Sequence, residues 1–165
     1  MAATEYSFDV VSDFDRQELH NAVDQARREI ATRYDFKGVV AELELHEGEL
    51  VILAATDARA AAVLDVLKSK LVRRQLSLKI LDPGKPEPAA RGNVRQVVRL
   101  RRGIDEETAR SLSKRVKAAH PKVQVRIQGS ELRVAGRDKD ALQAVIKELR
   151  DLDLALPLQF TNYRP

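Results

Sequence analysis

Glu49-Leu50-Val51-Ile52-Leu53-Ala54 and Glu131-Leu132-Arg133-Val134-Ala135-Gly136 read as one strand written twice, 82 positions apart. The same offset carries Ala62-Val63-Leu64 and Leu67 onto Ala144-Val145-Ile146 and Leu149. Identity between the copies is low, but the order of apolar positions agrees, the mark of a duplicated structural unit. Working outward from the first strand, Glu47-Gly48 is a turn signal. Before it, Val39, Ala41, Leu43 and Leu45 alternate with Val40, Glu42, Glu44 and His46, the period of a half-buried strand. After it, a helix begins near Asp57, with Ala61, Leu64, Leu67, Lys68 and Leu71 along its length. Upstream, Phe8 to Ser12 reads as a strand. A helix capped by Asp13 or Asp15 follows to about Arg33, with Leu19, Ala22, Val23, Ala26 and Ile30 as its buried stripe. Leu76 to Leu81 is expected as the last strand of the first copy.

Asp82 to Gly92 holds three prolines and two glycines and reads as a connector without regular structure. The second copy repeats the order. Val94 to Arg101 is a strand, and a helix starts at Ile104-Asp105-Glu106-Glu107, where acidic residues suit the positive helix end. Leu112, Val116 and Ala119 mark its buried face. Val123, Val125 and Ile127 alternate with Gln124, Arg126 and Gln128, Gly129-Ser130 turns the chain, and Leu132 to Ala135 returns. A helix from Asp138 or Asp140 to Leu149 follows, then an edge strand over Leu156 to Phe160, where proline is tolerated. Each copy is therefore strand–helix–strand–strand–helix–strand, an α+β plan with a four-stranded antiparallel sheet and both helices on one face, the ferredoxin-like split βαβ arrangement. The expected division is 1–82, a linker over 83–93, and 94–165.

Bulk composition narrows the chemistry. The 165 residues suit two small domains. Aromatic residues are only 4%, so aliphatic side chains must fill the cores. The chain has no cysteine, which excludes disulfides, thiolate metal sites and cysteine nucleophiles. The opening Met1 to Tyr6 lacks a signal-peptide pattern, and no apolar run reaches the roughly 18 residues of a membrane span; a cytoplasmic location is expected. The seven glycines form neither a Gly-x-Gly-x-x-Gly loop nor a Walker loop. His20, His46 and His120 have no metal-motif spacing, and no carboxylate pair is placed for acid–base work. The expectation is a binding protein, not an enzyme, without cofactor or metal.

Charge is where the copies differ. Residues 1–82 hold 11 Lys/Arg against 15 Asp/Glu, and residues 83–165 hold 18 against 10, so the halves carry −4 and +8. A basic half suits an anionic partner such as a nucleotide, RNA or phosphate; attraction between the halves, or solubility alone, would leave the same imbalance. In the second copy Gln124, Arg126, Gln128 and Arg133 are expected on one sheet face. Guanidinium groups chelate phosphate oxygens and glutamine amides read base edges or hydroxyls. The face lacks the stacking aromatics of an RNA-recognition sheet. The matching face of the first copy carries Glu42 and Glu44, which would repel phosphate and could instead pair with the basic face. Arg95, Arg99, Arg101 and Arg102 form a further basic cluster, or simply a solvated strand face. In Arg33-Tyr34-Asp35-Phe36-Lys37-Gly38 two aromatics stand beside two cations and a carboxylate. A base could stack there while a cation holds phosphate; equally, Phe36 plugs the core and Asp35 ties down the turn.

Ser7-Phe8-Asp9-Val10-Val11-Ser12, Asn21-Ala22-Val23-Asp24 and Arg33-Tyr34-Asp35-Phe36-Lys37-Gly38 resemble the YajQ family of bacterial proteins. So do Arg102-Gly103-Ile104, Val123 to Gly129, Glu131-Leu132-Arg133-Val134, Asp138 to Gln143, and Pro157-Leu158-Gln159-Phe160-Thr161-Asn162-Tyr163-Arg164. The resemblance spans nearly the whole chain, in order, with small departures such as Asp13 for glutamate and Ala135 for threonine. It implies two ferredoxin-like domains that exchange their opening strands, so that Phe8 to Ser12 joins the second sheet and Val94 to Arg101 the first. It also implies a nucleotide-binding protein that is not an enzyme. Its ligand would be of the GTP, ATP or cyclic di-GMP class, and cyclic di-GMP is a proposed ligand for some members. RNA, tRNA or the ribosome is the alternative partner, and a regulatory or assembling protein a third. The candidate nucleotide-binding residues, chosen by chemistry within the matching motifs, are Arg33, Asp35, Phe36, Lys37, Gln124, Arg126, Gln128 and Arg133.

Overall fold

The computed structural model describes residues 5–165, so Met1 to Thr4 of the opening segment lie outside the described residues. The chain is α+β, with two antiparallel sheets and four α-helices, and it divides into two compact units, Phe14–Arg101 and residues 5–13 with Arg102–Pro165.

In the first of these units the leading helix α1 (Arg16–Thr32) is capped by Asp15, whose carboxylate accepts from the Gln17 and Glu18 backbone amides. Its stripe of Leu19, Ala22, Val23, Ala26 and Ile30 is buried, as its spacing requires. A short 3-10 turn, Tyr34–Phe36, ends it. The hairpin of β2 (Ala41–His46) and β3 (Glu49–Ala54) turns at Gly48, whose φ of +77° favours glycine. Helix α2 (Asp57–Arg73) is capped by Thr56. It buries Ala60, Val63, Leu64, Leu67 and Leu71, while Ala61, expected on that stripe, is exposed. Strand β6 (Val94–Leu100) pairs with β3, giving the order β2-β3-β6-β4 with β4 at Leu81–Pro83. Leu43, Leu50, Ile52 and Val98 form the apolar floor on which the helices pack.

Two expectations fail in this unit. Leu76 to Leu81 is not a strand: Ser77 accepts the Lys79 amide and starts a 3-10 turn over Leu78–Ile80, which drives Ile80 into the core. Pairing begins only at β4 (Leu81–Pro83), held beside Arg101, which donates to the Lys79 and Leu81 carbonyls. The proline-rich connector is also partly regular. Strand β4 and the two-residue β5 (Glu87–Pro88) both pair with β6. Between them the Gly84 amide donates to Val97 O, and Gln96 Nε2 donates to Gly84 O, each at 2.8 Å. Proline is compatible with this because the segment is a sheet edge.

In the other unit β1 (Tyr6–Val11) lies between β8 (Glu131–Gly136) and β9 (Gln159–Arg164), and the order is β7-β8-β1-β9 with β7 at Gln124–Gln128. Helices α3 (Glu106–Ala119) and α4 (Lys139–Arg150) begin at the caps Asp105 and Asp138. Leu112, Val116, Val145, Ile146 and Leu149 pack on Phe8, Val10, Leu132 and Val134. The last strand is displaced from its expected place: Leu156 and Pro157 are buried ahead of it, and pairing with β1 runs from Gln159 to Arg164. The register shifts between Ser7 and Asp9, where Asn162 takes a φ of +58°, a bulge of the kind that re-aims edge side chains.

Candidate functional site

The polar face of the sheet β7-β8-β1-β9 is set by alternation. Val125, Leu132, Val134, Phe8 and Val10 turn toward the helices, so Gln124, Arg126, Gln128, Arg133 and Asp9 take the opposite face. Cross-strand register puts Arg126 directly opposite Arg133, and Arg133 opposite Asp9. Arg133 Nε donates to Asp9 Oδ1 at 2.9 Å, and Asn162 Nδ2 donates to Asp9 Oδ2 at 2.7 Å. The Arg133 guanidinium, helped by the Asn162 amide, holds the Asp9 carboxyl below the usual range, although burial works the other way. Asp9 is only 5% exposed. Arg126 is exposed and has no ion pair among the described residues. Like charges directly opposed repel. Asp9 relieves Arg133, with Glu131 also drawing on it, and Arg126 keeps its charge available. Gln124 and Gln128 are exposed on either side of it. The four candidates thus share one face with Asp9 and Asn162, two residues that local reading did not pick out. The alternation of Phe8 and Val10 placed Asp9 outward, but no local signal names a partner 124 positions away.

Arg33, Asp35, Phe36 and Lys37 lie in the other compact unit. Arg33 grips Asp35 through Nε at 3.0 Å and Nη2 at 2.8 Å, which holds the Asp35 carboxyl below its usual range. Phe36 is buried at 5% exposure in the core, and the Arg33 guanidinium lies 5.1 Å from its ring centroid. Its ring is therefore covered. The open aromatic here is Tyr34, 88% exposed. Lys37 is exposed. The neighbouring concavity of about 500 Å³ takes Arg27, Glu42 and Glu44 into its lining, an acidic excess that disfavours phosphate.

The other clustered arginines stand beside acidic residues. Arg95 faces Glu87, and Arg99 faces Glu49 and Asp82, across their strands. Arg101 pairs with Asp82 and Arg102 with Asp13. His46 contacts Glu44 and His120 contacts Glu148. Among the described residues no group of three or more His, Asp or Glu side chains is placed to hold a metal ion.

Two antiparallel sheets and four helices in an α+β chain are consistent with a duplicated protein of the ferredoxin-like class. Residues 6–164 match the family described as "Nucleotide-binding protein YajQ-like". The chain belongs to the YajQ family. It is 56% identical over 162 residues to a protein of Chloroflexus aurantiacus called a nucleotide-binding protein, covering 97% of this chain and 98% of the relative. It is 54% identical over 164 residues to one of a Synechococcus strain, covering 99% and 100%. It is also 53% identical over 162 residues to one of Synechococcus elongatus, covering 98% and 99%. Both bear the same description.

Proposed function

We propose that this chain is a nucleotide-binding protein without catalytic activity, and that Arg126 and Arg133 hold the phosphates of its ligand. The observation that carries the reading is the directly opposed arginine pair in which one member is tied to Asp9 and the other is exposed. Two guanidinium groups side by side match a ligand with two phosphates, which favours a cyclic dinucleotide of the cyclic di-GMP class over a single phosphate ester. Gln124 and Gln128 offer amide donors and acceptors to base edges or ribose hydroxyls. The descriptions given to the family and to its relatives support a nucleotide ligand in general. RNA is the weaker reading, because Gln124, Arg126 and Gln128 alternate without an aromatic platform for stacked bases. Arg33, Asp35 and Lys37, with Tyr34 in place of the covered Phe36, are a secondary candidate.

Titration calorimetry with cyclic di-GMP, GTP and ATP tests the proposal. Binding by the intact protein and a loss of about tenfold or more in Arg126→Ala are expected, the scale of one charge-assisted hydrogen bond. Absence of heat up to millimolar ligand sinks the nucleotide reading. Binding that is unchanged in Arg126→Ala sinks the site.

A further inference from the structure

Strand β2 is the outer strand of its sheet and pairs on one side only, with β3. The Ala55 amide donates to Val40 O at 3.0 Å, one step beyond the Ala41–Ala54 pair. Hydrogen-bonded pairs alternate along an antiparallel ladder, so Glu42, Glu44 and His46 bond to β3. Ala41, Leu43 and Leu45 therefore aim their N–H and C=O groups at the open edge, where they have no hydrogen-bond partner among the described residues. The other edge of the sheet is blunted by Pro83 in β4 and Pro88 in β5, which lack an N–H. Strand β2 has no proline, and its register with β3 has no bulge. Beside it opens the concavity of about 500 Å³, walled by Arg27, Ile30 and Ala31 of α1 and by Phe36 and Val39. Val39 is apolar yet 37% exposed. Leu43 is buried on the helix side, whereas Glu42 and Glu44 are exposed on the opposite face. Glu42 has no ion pair among the described residues, and Glu44 has only its contact with His46.

We propose that the β2 edge is a docking site for an extended segment of a partner protein, which adds to the sheet antiparallel to β2 and carries a basic–apolar–basic pattern opposite Glu44, Leu43 and Glu42. Alternation dictates that pattern. A residue opposite Leu43 exchanges backbone hydrogen bonds with it and turns its side chain into the hollow beside Ile30, Phe36 and Val39. Its two neighbours turn to the other face, where the carboxylates of Glu42 and Glu44 make Lys or Arg the favourable cross-strand partner. Arg27, on the helix wall, keeps a cation out of the hollow itself. A second copy of β2 does not fit: turned about Leu43 in an antiparallel pair, it sets Glu42 against Glu44 twice. The same carboxylates repel a nucleic acid. The edge lies in Phe14–Arg101 and acts independently of a nucleotide on the Arg126–Arg133 face.

Fluorescence anisotropy of the full chain with the fluorescein-labelled, C-terminally amidated peptide Thr-Val-Lys-Val-Lys-Val-Thr tests the site. Saturable binding is expected, and the same peptide with glutamate in place of lysine should bind about tenfold more weakly or worse. N-methylation of the central valine removes a donor that faces the strand and should cost about tenfold, the scale of one lost hydrogen bond. N-methylation of a lysine, whose N–H faces away, should leave affinity within about threefold. Glu42→Lys combined with Glu44→Lys should reverse the preference between the two peptides. Both glutamates are exposed, so this variant keeps the fold, which circular dichroism checks. In hydrogen exchange followed by nuclear magnetic resonance, the peptide should slow the Ala41, Leu43 and Leu45 amides and leave those of Glu42 and Glu44 unchanged. No binding up to millimolar peptide, indifference to the valine methyl group, or an unreversed preference in the double variant overturns the proposal. Protection of the Ala41, Leu43 and Leu45 amides before peptide is added, in a chain that sediments as a dimer, makes a second copy the occupant and overturns it too.

Discussion

Asp9 is a carboxylate held in a sheet by an arginine and an asparagine, with little water around it. Asp9→Asn keeps the shape but removes the charge, and should cost about 1–3 kcal/mol, the range for hydrogen bonds to charged groups. The Asp9 pKa is lowered in the folded state. Its contribution is therefore complete above the unfolded carboxyl pKa and is lost as pH falls through the lower folded value. Urea titrations at about pH 7 and about pH 2.5 should show the gap between Asp9→Asn and the parent shrink at the acid end. A gap that is constant, or that grows in acid, contradicts the ion pair. Gly103 is a second single-residue constraint. Its φ is +82°, and a Cβ there would meet Ser130 Cβ at 2.9 Å. Gly103→Ala should destabilise by about 1–3 kcal/mol through strain and contact together. Adding Ser130→Gly should recover only part of this, because the backbone strain remains. Full recovery in chemical denaturation would show that φ contributes nothing.

The helices were the most legible elements, because each announces itself by a cap and a stripe. Asp15, Asp105 and Asp138 stand before Arg16, Glu106 and Lys139; Asp15 accepts the Gln17 and Glu18 backbone amides, Asp105 that of Thr108 and Asp138 that of Asp140. Asp105 also accepts the Thr108 hydroxyl, which leads in holding its carboxyl below the usual range. Asp105→Ala should cost about 1 kcal/mol, as for other N-caps, and a denaturation midpoint equal to the parent's would exclude capping. Less legible were elements whose form depends on remote partners. Leu76 to Leu81 has the apolar content of a strand, but Ser77 and the reach of Arg101 make it a turn. Pro83 to Pro88 has loop composition, but Gln96 and Val97 draw it into pairing. Between α1 and α2, Lys70 is 8% exposed at its side chain and meets Glu29 at 2.9 Å. The lysine holds the Glu29 carboxyl low. Lys70→Met should be tolerated within about 1 kcal/mol, while Glu29→Ala should cost about 2 kcal/mol, because it strands a buried ammonium; the half-exposure of Glu29 keeps this below the full buried-pair value. Urea midpoints in the reverse order would contradict that account.

At the scale of the whole molecule, the duplicated strand pair Glu49–Ala54 and Glu131–Gly136 located both sheets, and the alternation around it located the Gln124–Arg133 face. Phe36 was read as either a stacking partner or a core plug, and its burial fits the core plug. A burial-capable aromatic beside an arginine reads the same whether the cation covers it from solvent or shares it with a base. The contact of Asn162 with Asp9 was not visible, because β9 acquires its bulge only against β1. The same long-range pairing governs folding. The sheet of Phe14–Arg101 has β6 between β3 and β4, and β6 begins at Val94, in the sequence repeat to which β3 does not belong. A fragment of residues 1–82 therefore lacks an interior strand. It would expose the open edge of β3 with Leu50 and Ile52, which the whole chain buries completely, and an uncovered apolar edge invites aggregation. A fragment of residues 14–101 contains β2, β3, β4, β6 and both their helices. It should fold with a cooperative urea transition, whereas 1–82 should give none, and far-ultraviolet circular dichroism with sedimentation distinguishes the two. A cooperative, monomeric 1–82 would show that the first repeat closes its own sheet in solution, and that the pairing of β6 with β3 is dispensable for its fold.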